Sequence, residues 1–316
     1  MRNYALFFLF VLEVSISNNH LLAQYFNPSC RYTSIGFSLK ASYFDGDIKS
    51  PIQLIRPGIG VNINRRITPR ITLTSELSWV RLMGDDHTGN NLQNPAKIPY
   101  YIRNLHFRND IKQWMVGVKY DLFPSTDHYR KRPVYNIYFG LGMSFILHNP
   151  KAKIFTDSTF SNTKWTNLRP LETENHKYSS WTIGLPVSIG IRYKLSLQWD
   201  MEVELSYQYT LTDYLDDVSG NYADPNSLSN PKAKALSNRS ADPYAALSGN
   251  KRDLDYIQNQ LGHPIIQTNG YGYVEGNGPG DSRGSKKGND GFALLSIRFI
   301  YAIPGRINCP KFRDFQ

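Results

Sequence analysis

After its first two dozen residues this chain of 316 contains no run of about twenty apolar residues, so none of it can cross a bilayer as a helix. Cysteine is nearly missing. Only Cys30 and Cys309 occur, and neither directly follows a leader segment, which excludes a lipid-anchoring cysteine. No serine and histidine pair up on a common strand, as a lipid-modifying hydrolase would need. The glycines near residues 270–288 lack the strand-to-helix setting of a phosphate-binding loop. Acidic residues are in deficit, 26 against 36 basic ones, for a net charge of +10. A hydrophobic share of 41% and a mean hydropathy of -0.44 describe an ordinary soluble protein, unless only every second strand residue has to meet lipid.

What the chain does have is alternation. Trp181, Ile183, Leu185, Val187, Ile189, Ile191 and Tyr193 are apolar, and the residues between them are small or polar. After Leu195–Leu197 the pattern resumes through Trp199, Met201, Val203, Leu205, Tyr207 and Tyr209, facing Asp200, Glu202 and Glu204. A period of two denotes a strand with one dry and one wet face, and two such runs around a tight turn denote an antiparallel hairpin. The same test finds dry faces at Ile35–Tyr43, Ile59–Ile63, Ile71–Trp79, Trp114–Leu122, Tyr135–Phe145 and Leu295–Ile303. Eight strands, an even count with aromatics at both ends of the dry face, predict an all-β fold: an eight-stranded antiparallel transmembrane β-barrel.

The spacing between strands supports this reading. Links after the second, fourth and sixth strands are short, and those after the third, fifth and seventh are long, near 83–104, 148–178 and 211–289. Barrels of the Gram-negative outer membrane place short turns in the periplasm and long loops outside, so both termini are expected to be periplasmic. Tyr120, Tyr135, Tyr193, Trp199 and Tyr301 then form one girdle, and Tyr43, Trp79, Phe145, Trp181, Tyr207 and Tyr209 the other. Arg2, the apolar run Tyr4–Leu12 and Ala23 before Gln24 read as a secretory signal peptide over 1–23. The barrel is assigned to 24–310 and a periplasmic tail to 311–316. In an exported chain Cys30 and Cys309 are disulfide candidates that would staple its two ends, the alternative being two free thiols.

Eight strands enclose a space that side chains fill. The wet face supplies Lys40, Lys119, Arg192, Lys194 and Arg298 against Glu76, Asp121, Asp200, Glu202 and Glu204, which reads as a structural salt-bridge network, with a turn at Leu195–Leu197 setting Arg192 opposite Asp200. Excess positive charge gathers at the periplasmic end: Arg65, Arg66, Arg70, Arg130, Lys131, Arg132 and Arg306, with Arg31, Lys311 and Arg313. This rim could meet outer-membrane lipid phosphates or dock an acidic periplasmic partner. Nucleic acid is not expected for an exported barrel, despite a pI near 9.4.

The last outer loop, 211–289, is too long for a mere connection. Asp242-Pro243 reads as a helix start, and Leu254, Ile257 and Leu261 follow at helical spacing, so part of the loop is expected to fold, as a cap over the mouth. Its glycine-rich end reads as flexible. Asp213, Asp216 and Asp217 could bind calcium through oxygen ligands, and together with Asp85, Asp86 and His87 they could suggest a protease, although omptin-type enzymes use a larger barrel. No catalytic residue and no cofactor is assigned.

Several segments carry a resemblance. Tyr43-Phe44-Asp45-Gly46-Asp47, Arg56-Pro57-Gly58-Ile59-Gly60, Leu105-His106-Phe107-Arg108-Asn109-Asp110-Ile111, Leu185–Leu195 and above all Thr212-Asp213-Tyr214-Leu215-Asp216-Asp217-Val218-Ser219-Gly220 are similar to the PorG-like outer-membrane barrels of the type IX secretion system, over about 33–303. The resemblance implies a non-enzymatic accessory component that ties a periplasmic PorK/PorN-type ring to the outer membrane. It brings no catalytic residues with it. The competing expectations are a surface-binding or adhesion barrel and a small pore.

Overall fold

The computed structural model describes residues 31–88, 94–125, 129–155, 163–268, 271–285 and 288–304. The signal segment, the tail, Cys30, Cys309 and Arg306 lie outside them. Eight long strands form the wall: β1 (Thr33–Asp45), β2 (Arg56–Arg66), β3 (Ile71–Asp85), β4 (His106–Asp121), β5 (Tyr135–Leu147), β8 (Trp181–Lys194), β9 (Trp199–Thr210) and β12 (Gly291–Ala302). Each pairs antiparallel with its neighbours in the order β3-β2-β1-β12-β9-β8-β5-β4, and β3 pairs with β4 to close the ring. Two small hairpins belong to the loops. β6 (Lys151–Phe155) and β7 (Thr163–Asn167) extend β4 beyond the end of β5, and β10 (Ile265–Thr268) pairs with β11 (Tyr271–Val274).

The alternation is realised inside out relative to a soluble domain. Residues of the dry face, such as Leu39, Val61, Leu141, Val187 and Leu205, are exposed on the outside of the ring. Their even-numbered counterparts Lys40, Asn62, Ser188 and Glu204 face inward, the first, second and last of them buried. A closed ring leaves no unpaired edge, and an apolar outer wall belongs in hydrocarbon, where every backbone group must be satisfied within the protein.

Three sequence expectations need correction. The turn after β8 is centred one residue later than Leu195–Leu197 implied: the Leu195 amide donates to Trp199 O at 2.9 Å, and the Ser196 hydroxyl accepts from the Gln198 and Trp199 amides. Lys194 therefore stands opposite Asp200, and Arg192 opposite Glu202. The helix expected to start at Asp242-Pro243 does not form, because Arg252 donates to the carbonyls of Ser240 and Asp242 and holds the segment as a tight loop. Helical chain does form where Leu254, Ile257 and Leu261 were spaced for it, as one widened turn, Tyr256–Gln260, started by Asp253, and also at Pro231–Ser237, capped by Asn230. The glycine-rich end is not free. Gly280 N bonds Tyr222 O and Arg283 N bonds Gly220 O, each at 2.9 Å.

Candidate functional site

The lumen is filled from wall to wall. Lys40 and Arg298 clamp Glu76, with Nζ–Oε1 at 2.5 Å and Nε–Oε2 at 3.0 Å, and Arg298 reaches on to Glu204 at 2.7 Å. Lys119 and Arg192 clamp Glu202 from either side, both at 2.7 Å. Arg192 then meets Asp121 at 2.9 Å. Tyr138 adds its hydroxyl, 3.1 Å from Glu202 and 3.0 Å from Glu204. All of the charged residues expected in the network except Lys194 take part in it. Lys194 is only half-buried and donates to Arg130 O. Charges this deep persist because each finds an opposite charge with good geometry. The voids left beside them, about 20 Å³ next to Lys40 and Glu204 and about 10 Å³ next to Arg66 and Asp200, are the size of a water molecule.

The expected basic rim splits in two. Arg66 and Arg132 are buried, because the lumen has room for them and holds carboxylates they can reach: Arg66 pairs with Asp121, and Arg132 grips Asp200 at 2.8 Å while donating to the Ser196 and Leu197 carbonyls. They close the turn end of the network and are not available to a partner. With them the network counts six cations, Lys40, Arg66, Lys119, Arg132, Arg192 and Arg298, against Glu76, Asp121, Asp200, Glu202 and Glu204. Arg65, Arg130 and Lys131 stay exposed, and Arg70 is half-exposed with its guanidinium on Leu122 O.

At the other end the mouth is sealed by a folded cap. Phe44, Ile48, Leu105, Phe107, Leu215 and Val218 bury one another there, together with Val80 and Phe292 of the wall. Charged side chains pin the backbone around this cluster. Arg103 forks onto Asp86 at 2.7 and 2.8 Å and donates to the Asp47 and Arg283 carbonyls. Arg283 bonds Glu174 at 3.0 Å and Asp217 O at 2.6 Å. Asn104, at a φ of 57°, bonds Arg239 O, Tyr244 O and Ala246 N. The segments that carry the resemblance, around Phe44, Leu105–Ile111 and Leu215–Val218, meet here although they lie far apart in sequence.

The calcium expectation is corrected by the same contacts. Asp216 spends its two oxygens on the Ile48 and Val218 amides, and Asp217 spends its own on Thr173 and Tyr178. Asp213 stays half-buried, its carboxyl pushed up to about 6 by loss of water. Among the described residues no three His, Cys, Asp or Glu side chains converge as a metal site. The protease constellation is likewise dismantled, since Asp86 is held by Arg103, Asp85 by Thr88, and His87 lies against Tyr101. Burial pushes Asp217 up to about 6, and it drives Asp216 and Asp290 well above the ordinary carboxylate range, helped by the nearby charge of Asp47.

Sequence reasoning missed Tyr138, Arg103 and Arg283. A tyrosine on the wet face of β5, opposite Gly190, was the available sign for the first. A Cβ on Gly190 would lie 2.5 Å from the Tyr138 ring, so the glycine makes room for it. Arg103 ends a six-residue helix, Ile98–Arg103, too short to show a period, and Arg283 sits in irregular chain, so no periodicity marks either as inward.

No protein-family model and no curated protein matches the sequence. Solved structures do. Ail, the attachment invasion locus protein of Yersinia pestis, crystallised with the heparin analogue sucrose octasulfate, is 8% identical with a TM-score of 0.35, covering 87% of this chain and 99% of Ail. Neisserial surface protein A is 9% identical with a TM-score of 0.37, over 86% and 97%. The outer membrane protein OprG from Pseudomonas aeruginosa is 11% identical with a TM-score of 0.38, over 88% and 98%. At such distances the fold assignment stands on this chain's own closed ladder of strands.

Proposed function

We propose that this protein is a non-enzymatic, non-conducting barrel of the Gram-negative outer membrane that anchors a secretion assembly, with its turns in the periplasm and its cap outside. One observation carries the reading: with the lumen occupied by paired charges and the mouth sealed, only the two rims and the outer wall are left to act. The resemblance supplies the finer role, an accessory anchor of type IX secretion that holds a PorK/PorN-type periplasmic ring. Among the described residues, Arg65, Arg70, Arg130 and Lys131 are turn-end cations that such a partner could reach. Charge complementarity there would set encounter and register.

The test is affinity capture of the detergent-solubilised protein, followed by identification of co-purifying ring lipoproteins. Charge reversal at Arg65, Arg130 and Lys131 should release them and lower secretion while the barrel stays folded. Arg66 and Arg132 are unsuitable for this purpose, since reversing them would break the lumen. If no ring protein co-purifies and the reversed variant secretes normally, the anchor role is wrong. In planar bilayers the wild-type protein should give no open-channel current, and steady conductance would remove the non-conducting part of the reading.

A further inference from the structure

Near the loop end, the outward-facing residues on most of the wall are neutral aromatics: Tyr43, Phe145, Trp181 and Tyr207 are all exposed there. The face of β3 and β4 differs. Lys112 points outward opposite Trp79 on one side and Leu147 on the other. One step further up, Arg81 stands opposite Asp110, and beyond them lies Arg108, whose other neighbour across the ladder is Lys151. Among the described residues, Arg81, Arg108, Lys112 and Lys151 meet a single carboxylate, Asp110, so four positive charges and one negative leave this strip at +3.

The strip is organised. Asp110 takes Arg81 Nε on one oxygen at 2.7 Å and Arg108 Nη2 on the other at 2.8 Å, which fixes the two guanidiniums side by side. Arg81 also lies over the Trp79 ring at 5.1 Å, and Arg108 over Trp165 at 5.5 Å. All three charged side chains remain a fifth to a third exposed, Arg81 at 29%, Arg108 at 26% and Asp110 at 19%. Lys112 is exposed and forms no ion pair with a described residue. One step below are Leu77, Trp114 and Phe145, and below them Val116, part of the apolar wall. Acyl chains along that wall would end at the level of the cations, and long basic side chains lay their stems on apolar surface while the charge seeks a polar layer.

We infer that the outward face of β3 and β4 at the loop end binds an outer-leaflet glycolipid through the phosphate of its headgroup, with Arg81, Arg108 and Lys112 as the phosphate contacts. The inference rests on the proposed orientation, which sets this end in the outer leaflet, where phosphorylated glycolipid is the anionic amphiphile. Guanidiniums suit phosphate because their parallel N–H groups match its oxygens, and a lysine adds a point charge.

The experiment uses the full chain in detergent micelles, mixed with bis-phosphorylated lipid A, dephosphorylated lipid A or phosphatidylglycerol, and measures the lipid retained after washing. The wild type should retain bis-phosphorylated lipid A over both of the others. Lys112→Gln should weaken retention about fivefold, the effect of one cation near an anionic surface. The triple variant R81Q/R108Q/K112Q should fall to the level of dephosphorylated lipid A. Equal retention by the triple variant and the wild type overturns the site, as does equal retention of dephosphorylated lipid A. Equal retention of phosphatidylglycerol overturns the assignment to the glycolipid. Heat-dependent gel mobility is followed for every variant. If the triple variant loses that mobility, Lys112→Gln alone decides. A wild type that shows none and does not insert into vesicles defeats the outer-membrane reading and this inference with it, whereas normal insertion with charge-independent retention defeats this inference only.

Discussion

Arg298 is the most connected cation of the lumen among the described residues, within reach of Glu76, Glu204 and Glu202, and only 2% of it is exposed. Removing it leaves Glu76 with Lys40, Glu204 with Lys119, and Glu202 with Lys119 and Arg192 as remaining ion-pair partners. Breaking a buried ion pair from one side costs about 3–5 kcal/mol, because the survivor cannot regain water. Arg298→Ala should therefore lower the unfolding free energy of vesicle-inserted protein by an amount of that order, read as a lower urea midpoint. Arg298→Lys should fall between, since one ammonium cannot span Glu76 and Glu204 as the guanidinium does. Midpoints equal to wild type in both variants would mean that the network contributes nothing. At this scale the sequence was informative about sign and face but not about reach. Parity placed Lys40, Glu76, Lys119, Glu202, Glu204 and Arg298 correctly inside. Arg66, the last residue of β2, shares the inward parity of Asn62 and Asn64, so the rim assignment overrode a sign that was there; Arg132 lies in the turn before β5, where no parity applies.

The elements repeat that division. All eight strands were legible, since a period of two sustained over about ten residues fits a strand with two unlike faces and does not fit a helix. The upper parts of β3 and β4 were not. From Leu82 to Asp85 and at His106 and Phe107 both faces become covered, while Arg81, Arg108 and Asp110 stay partly exposed on the outside, and a strand segment buried on both faces loses its period. The cap itself was legible only as a suspicion. Its contacts are charge-to-backbone bonds between distant segments, which leave no local pattern.

The cap also carries a pH dependence of definite sign. Asp216 and Asp290 have carboxyls raised well above the usual range by burial and by neighbouring acids, while Asp213 and Asp217 rise to about 6. A carboxyl with a raised folded-state pKa stabilises fully below its unfolded value, near 4, and that stability is lost as pH climbs through the folded value. His148 acts in the opposite sense. Burial lowers it to about 4, so its contribution is present above the unfolded value near 6.5 and is lost as pH falls. Above pH 6.5 the histidine is neutral in both states, Asp213 and Asp217 have passed their folded values, and the more strongly raised Asp216 and Asp290 carry the dependence. Amide exchange within 211–285 should therefore speed up from pH 6.5 to 8.5 by more than base catalysis accounts for, while the strands change little. Asp290→Asn should flatten that excess, and an excess unchanged by the substitution would clear these acids of the effect.

For the whole molecule the relevant fact is where the ring closes. β1 and β12 hold the two ends of the chain and pair along their full length, from Ser34 with Ala302 to Asp45 with Gly291. The Ile303 amide still bonds Thr33 O at 2.9 Å, so the chain enters and leaves the barrel side by side at the turn end. Any lateral opening at this ladder separates the chain ends, whereas opening at another ladder strains a covalent turn or loop. The β1–β12 seam is therefore the place where a cross-link between the ends acts directly. Cys30 precedes β1 by three residues (33 − 30) and Cys309 follows β12 by seven (309 − 302), and a disulfide between them would tie this seam. Closing a loop of nearly the whole chain is worth at most about 5 kcal/mol through the unfolded state. We expect non-reducing peptide mapping to recover one linked Cys30–Cys309 peptide, and reduction or Cys309→Ser to lower the temperature at which gel mobility changes. Two free thiols in protein isolated without reductant would show that the seam holds by its strand ladder and the ion pairs of Arg298 and Lys40 alone.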